Sequence, residues 1–384
     1  MTRRKPPLTL RRVAETIHLW LGLLCALPFL FMGLTGSTLV LQDTLRAWGD
    51  PPGVTGTPQP VSAILQAAEA AAPGLVPMVY LAPQAPGALA SVRLGAAGHA
   101  RRGGPMVLVK IDPVSLHIQP PSRIDAFLGP LLQLHSTWLM PGSSRVATGC
   151  FGVTMLVLGL SGIVNWWPRP GRWRQAFTVA KGARGIRLFR DLHGAIGIWM
   201  SVLFLVVVFG GVNLAFPETL RAIVHTVLPG AELPPVPTVK PIPDADPMPI
   251  DDAVRLAEAA APDDRLGAVF LSGRPNQALR ISLLRDGQSR LAPTFTVTID
   301  PWRRQVLRIQ DPRALSAGDT LLAWQHAIHS GQGLGLLWQS LVFLTGLSPS
   351  FFAVTGIGLW VLKRRQRRPS PTLSASPLPR STTS

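Results

Sequence analysis

Four stretches of this chain, 17–41, 146–167, 194–216 and 334–362, run without a single Lys, Arg, Asp or Glu. About 20 consecutive apolar residues cross the hydrocarbon core of a bilayer as a helix, so the pattern predicts four membrane-spanning helices. Pro28 and Pro349 fall inside the first and fourth runs and predict kinks, which neighbouring helices can accommodate. Between the runs the period changes. Residues 63–72 and 252–261 read as amphipathic helices. Strand-like segments follow each one: 76–81, 88–94 and 106–111 in the first case, 266–271, 278–284 and 294–299 in the second. Asp112-Pro113 and Asp300-Pro301 then read as turns. Each set predicts a small α+β module, one helix on a short antiparallel sheet. The segments 229–249 and 369–384 are a Pro-rich linker and tail.

The same unit is written twice. Offset by 175, the run from His18 to Ala47 matches His193 to Ala222, pairing His18 with His193, Gly22 with Gly197 and Gly36 with Gly211, and ending in TLRA both times. AEAAAP recurs at an offset of 189 and the V-x-I-D-P turn at 188. LHS (134–136) meets IHS (328–330) at 194, as SGIVNWWPR (161–169) meets TGIGLWVLKR (355–364). Ordered matches with slowly drifting offsets indicate an internal repeat. Each repeat is helix, module, helix. An even number of spans separates the two, so they run parallel, about a pseudo-two-fold axis along the membrane normal.

Charge fixes the expected orientation. The chain has 37 Lys and Arg against 20 Asp and Glu, a net charge of +17. Five cations lie in 1–12, seven in 168–190 and six in 363–384, segments with no acidic residue, so the remainder is close to neutral. Basicity confined to the flanks of apolar runs argues against nucleic acid as partner and for the lipid bilayer. The positive-inside rule places these flanks in the cytoplasm. The expected order is therefore a basic N-terminus (1–16), spans 17–41 and 146–167 around an external module (42–145), a basic loop (168–193), spans 194–216 and 334–362 around a second module (217–333), and a basic tail (363–384). Trp166, Trp167 and Trp360 sit at cytoplasmic helix ends, where interfacial aromatics belong. The first run is longer than the apolar region of a signal peptide and no A-x-A site follows closely, so it reads as a retained helix. Cys25 and Cys150 lie in different predicted helices, at depths that disfavour a disulfide.

The residues His18-x3-Gly22, His193-x3-Gly197, LHS, SGIVNWWPR, IHSGQGLG, TGIGLWVLKR and the two IDP turns make the chain resemble the PepSY-associated transmembrane helix family over roughly residues 10–365. It is most similar to the iron-uptake branch, which includes ferric-siderophore reductases of the bacterial inner membrane. The resemblance implies an α-helical membrane protein, a four-helix bundle of two parallel repeats with PepSY-type periplasmic domains, holding two b-type haems.

Four of the eight histidines occupy equivalent positions of the two repeats. His18 and His193 open the odd-numbered spans, and the two-fold would bring them face to face as axial ligands of a haem iron. Gly22 and Gly197, four residues on, lie on the same helix faces and leave room for a flat macrocycle. The plainer alternative is an interfacial histidine beside a helix-packing glycine. His135 and His329 form the second pair, on the outer approach to the even-numbered spans, with His326 as a substitute ligand or a partner for a haem propionate. Arg145 either pairs with a propionate or marks the interface. His99, His117 and His225 have no histidine counterpart and read as structural or solvated.

There is no Cys-x-x-Cys-His, so covalent haem is excluded, and no H-E-x-x-H, P-loop, G-x-S-x-G or dinucleotide fingerprint. The spans hold no ionisable residue but histidine, which fits a transporter poorly. Two functions stand. One is an oxidoreductase that passes electrons from a cytoplasmic or quinol donor to a periplasmic acceptor, the resemblance implying a ferric siderophore. The other is a non-catalytic PepSY protein with a regulatory, sensing or peptidase-inhibitory role.

Overall fold

A computed structural model describes residues 9–96, 106–140, 144–231, 237–271 and 276–366. His99, the Pro141-Gly142 turn and the 369–384 tail lie outside the described residues.

Helix α1 (Leu10–Leu24) starts behind Thr9, whose side chain accepts from the Arg12 N–H. The chain breaks at Cys25 and resumes as α2 (Ala26–Val40), bent by 69°. Pro28 accounts for the position: it has no N–H for the Leu24 carbonyl four residues back, and its ring crowds that oxygen. Helices α3 (Gln42–Gly49) and α4 (Val61–Ala71) follow, then β1 (Val76–Leu81), β2 (Ala90–Gly95), β3 (Val107–Ile111) and β4 (Ile118–Gln119). Helices α5 (Arg123–Thr137) and α6 (Ser144–Trp166) complete the first half, and a short α7 (Trp173–Ala176) leads to the second.

There, α8 (Gly185–Ala215) runs unbroken where α1 and α2 are bent, with Leu203 at the position matching Pro28. Next come α9 (Pro217–His225), α10 (Ile250–Ala260), β5 (Arg265–Phe270), β6 (Leu279–Leu284), β7 (Phe295–Asp300) and β8 (Gln305–Gln310), then α11 (Ala317–Ala323), α12 (Gln325–Ser330) and α13 (Gly335–Gln366). Pro349 sits inside α13 without breaking it. The carbonyl it cannot serve, that of Thr345, accepts the Ser348 hydroxyl at 2.7 Å. Helices α6, α8 and α13 are long and apolar enough to cross a membrane, and the bent α1–α2 pair makes a fourth candidate if taken as one span.

The expected modules gain a fourth strand each, β4 and β8, and they are not separate. All eight strands form one antiparallel sheet in the order β4-β3-β2-β1-β5-β6-β7-β8. The seam is β1 against β5, with Val79 opposite Phe270, Tyr80 opposite Val269 and Leu81 opposite Ala268. At the sequence offset of 189, Tyr80 corresponds to Val269, so the seam pairs each strand with its own counterpart. Helices α4 and α10 lie side by side on one face, where Ser62 bonds to its counterpart Asp251. One apolar core runs under both helices, from Ile64, Val92 and Ile111 to Val269, Ile281 and Val297, all at 0 % exposure. Joining the modules edge to edge removes two strand edges that would otherwise be left open.

Candidate functional site

The long helices pack so that repeat-matched positions meet. Helix α2 lies on α13 and α8 on α6, while α5 and α12 cover the sheet-side ends of α2 and α8. Gly33 of α2 and Gly346 of α13 allow the closest approach: a Cβ on either would run into the opposite helix.

This packing brings together both histidine pairs expected from the sequence. His18 and His193 lie with ring centroids 6.1 Å apart and planes at 85°. His135 and His329 also lie 6.1 Å apart, at 38°. The first pair lies nine residues into α1 and α8. The second is at the sheet side of the helices, on α5 and α12.

The neighbours of each ring fix its tautomer. His18 Nδ1 meets the Leu158 carbonyl at 3.1 Å and the Ser161 hydroxyl at 3.0 Å, and a carbonyl can only accept, so Nδ1 carries the proton. His329 Nδ1 donates to the Val207 carbonyl at 2.8 Å. His193 Nδ1 meets Thr355 Oγ1 at 2.8 Å, and that hydroxyl already donates to Phe351 O, so it accepts from the ring. His135 Nδ1 meets Thr35 Oγ1 at 2.9 Å, and Thr35 donates to Phe31 O. All four imidazoles therefore present the Nε2 lone pair, and no Nε2 among the four has a hydrogen-bond partner among the described residues. An anchored Nδ1–H behind a free Nε2 is the usual arrangement of a metal-ligating histidine.

Glycines lie against all four rings, and two of them, Gly36 and Gly211, leave no room for a Cβ; none of the four is one of the two singled out from helix spacing. A Cβ on Gly36 would meet His135 Cε1 at 2.9 Å, and one on Gly211 would meet His329 Cε1 at 2.9 Å. Gly162 and Gly356 pack the same way on His18 and His193, at 3.2 and 3.5 Å. Gly22 and Gly197 face Leu158 and Phe352 instead, with ordinary room for a Cβ at 3.9 and 3.8 Å. The hydroxyl-glycine pairs Ser161-Gly162 and Thr355-Gly356 open the matched segments SGIVNWWPR and TGIGLWVLKR, so the signal was present in the repeat. Thr35 and the Val207 carbonyl left no such trace, because the position matching Thr35 is Gly210. His326 is exposed on α12, Arg145 is exposed at the start of α6, and His117 lies in the turn between β3 and β4.

Each pair of imidazoles is a donor set that could hold one metal ion. Imidazole nitrogens about 2 Å from a shared metal ion, with ring radii of about 1 Å, place two centroids about 6 Å apart, as both pairs are. The planes of such rings need no fixed angle to one another.

A second repeat-matched feature ties α3 to α5 and α9 to α11, and in the first half reaches strand β3 as well. Arg46 of α3 lies 3.6 Å from Asp125, and Arg221 of α9 donates to Asp319 at 2.7 Å. Each aspartate closes the first turn of its helix behind Ser122 or Ser316. In the first half Lys110, 7 % exposed, bridges Asp50 and Asp125 at 2.6 Å each. In the second, His225 matches Asp50 and bonds directly to Asp319 at 3.2 Å. Burial alone would raise the Asp319 carboxyl, but the Ala231 N–H, the Ser316 hydroxyl and Arg221 hold it below the usual carboxylate range.

Apolar helices of spanning length, crossed by paired histidines and capped by a sheet, define a membrane protein. The chain belongs to the family described as PepSY-associated TM region, whose model matches residues 16–363. A stretch of 73 residues is also 40 % identical to the Pseudomonas aeruginosa protein named "Uncharacterized protein PA4219", covering 18 % of this chain and 17 % of that one.

Proposed function

We propose that this chain is a di-haem b protein of the bacterial inner membrane, with both termini and the 168–193 loop in the cytoplasm and the sheet in the periplasm, that carries electrons to a periplasmic acceptor. His18 and His193 would hold the inner haem, His135 and His329 the outer one. The observation that carries the reading is the double occurrence of two imidazoles 6.1 Å apart, each with Nδ1–H tied down and Nε2 free. When bound, haem iron supplies one-electron chemistry that no side chain here offers. The chain's residues hold and orient. The Leu158 and Val207 carbonyls and the Thr35 and Thr355 hydroxyls accept the Nδ1 protons and keep the ligands basic.

The hydrocarbon core is about 30 Å thick, so one site at the inner face would leave a periplasmic complex out of reach, whereas two sites at opposite ends of the helices connect the faces. The acceptor that the resemblance implies is a ferric siderophore, which reduction would open because Fe(II) binds hard oxygen ligands more weakly than Fe(III). The electron donor is a cytoplasmic reductant or membrane quinol. Purified protein should show a b-type haem spectrum, and the His18→Ala, His193→Ala double variant should lose about half of it while remaining in the membrane. Full haem content in that variant would refute the inner site. No haem in the wild-type protein would favour the non-catalytic, regulatory reading of a PepSY protein.

A further inference from the structure

The connection between the two repeats carries a feature that the repeat does not call for. Trp166, at the end of α6, and Trp199, on α8, donate their indole N–H groups to adjacent carbonyls of this loop, Ala176 O at 2.9 Å and Phe177 O at 3.1 Å. Two spanning helices thus fasten one short segment between them. The rings form a continuous aromatic cluster: Trp167 to Trp173 at 5.5 Å, Trp173 to Phe177 at 6.5 Å and Phe177 to Trp199 at 5.5 Å. In the other half the counterpart of Trp166 is Trp360, where α13 simply continues as helix, and the counterpart of Trp199 is Leu24.

Core formation does not account for this cluster. Trp167, Trp173 and Trp199 remain 58 %, 42 % and 70 % exposed. Indoles open to their surroundings at the ends of apolar spanning helices sit at the depth that favours them in a bilayer, where hydrocarbon meets headgroups.

Unpaired charge is gathered at the same place. The Arg172 N–H bonds the Arg169 carbonyl at 3.1 Å, closing a β-turn with Pro170 and Gly171 at its corner. Gly171 takes the positive φ of 80° that such a turn requires of its third residue. The turn brings Arg169 and Arg172 close together, and Arg172 and Arg174 flank Trp173. All three arginines are exposed. The one acidic residue between 168 and 193 is Asp191, and it is already held by the Ala180 N–H, Arg187 and Arg190. Arg169, Arg172 and Arg174 therefore have no ion pair and no side-chain hydrogen bond among the described residues.

The combination narrows the partner. Guanidinium forks match phosphate oxygens in pairs, and indole faces match acyl chains. A small free anion has no use for the aromatic cluster. An acidic protein would need the indoles clear of the bilayer, whereas Trp199 belongs to the apolar run 194–216.

We infer that the 169–172 turn, Arg174 and the cluster of Trp167, Trp173 and Trp199 form a binding site for an anionic phospholipid, the guanidiniums taking its phosphate and the indoles its acyl chains. The inference requires that α6 and α8 lie in a bilayer; it does not rest on the electron-transfer reading.

The test uses full-length protein in phosphatidylcholine vesicles, with tryptophan fluorescence quenched by dibrominated lipid. Dibromo-phosphatidylglycerol should bind the wild type about threefold or more tightly than dibromo-phosphatidylcholine. The Arg172→Gln, Arg174→Gln double variant should quench equally with both lipids and elute unchanged on size exclusion. Lys363→Gln with Arg365→Gln removes the same charge from a basic flank that has no such cluster, and should leave the preference intact. Trp199→Phe keeps a ring but loses the bond to the Phe177 carbonyl, and should lower the preference without abolishing it. Equal quenching by both lipids in the wild type overturns the assignment and leaves these arginines to an acidic protein partner. Equal loss of preference in the two double variants also overturns it, because general attraction of positive charge to an anionic surface would then suffice.

Discussion

Single positions decide whether the histidine pairs can exist at all. Gly211 has no side chain because the His329 ring occupies the place where a Cβ would be, 2.9 Å from Cε1. That is closer than Cβ atoms approach other heavy atoms, so a side chain there must push the imidazole off its Val207 anchor. Gly211→Leu is expected to abolish the outer site while leaving His18 and His193 undisturbed, and spectroscopic haem content should fall by about half. An unchanged spectrum would show that the ring is not where its chemistry is needed. Gly22 and Gly197 were the glycines that helix spacing alone pointed to, by the rule that residues four apart share a face. Their neighbours across the helix contact are Leu158 and Phe352, not the histidine rings.

At the scale of elements, two buried charge latches tie flanking segments together, the first of them also to strand β3. Lys110 lies nearly buried between Asp50 and Asp125. Removing one partner of a buried charge cluster strands the others, at a cost of about 3–5 kcal/mol. Lys110→Ala should lower the unfolding midpoint of the sheet domain in a denaturant titration, while Lys181→Ala on the exposed loop after α7 should not. The second latch titrates. Asp319 has a folded-state pKa below its unfolded value, so its contribution is fully present above the ordinary carboxylate range near pH 4. It is lost as pH falls through the lowered value. Thermal unfolding followed from about pH 6 to pH 2 should show a loss below pH 4 that Asp319→Asn largely removes; an identical pH profile in both proteins would exclude this latch as the titrating element. Where a helix breaks is also an element-scale matter: Pro28 splits the first span, and Pro349 leaves the fourth whole because Ser348 serves the freed carbonyl.

For the whole molecule, symmetry is the organising fact. His18 faces His193, His135 faces His329, Tyr80 pairs with Val269 and Ser62 bonds Asp251, and each of these is a residue meeting its own counterpart. Such contacts mark points on a two-fold axis running from one end of the molecule to the other. The orientation proposed for the molecule in the membrane rests on the basic flanks. A reporter fused within the β1–β2 or β5–β6 hairpin should read periplasmic, and one fused in the loop around α7 cytoplasmic. A cytoplasmic reading at the hairpins would reverse the direction of electron flow proposed here.

The sequence by itself determined that the chain carries apolar helices of spanning length with strand-bearing segments between them, because hydrophobic runs and alternation are local signals. It also pointed to the four histidines, since the repeat pairs them without any knowledge of distance. It did not show that the modules fuse. A strand edge such as β1 reads the same whether it faces solvent or another strand, and only the docking of the halves brings Tyr80 to Val269. The short strand β4, of two residues, was invisible for want of length. Nor could spacing find Thr35 or the Val207 carbonyl. A hydrogen-bond partner in a packed bundle is set by which helices touch and at what rotation, and backbone carbonyls leave no mark in a sequence at all.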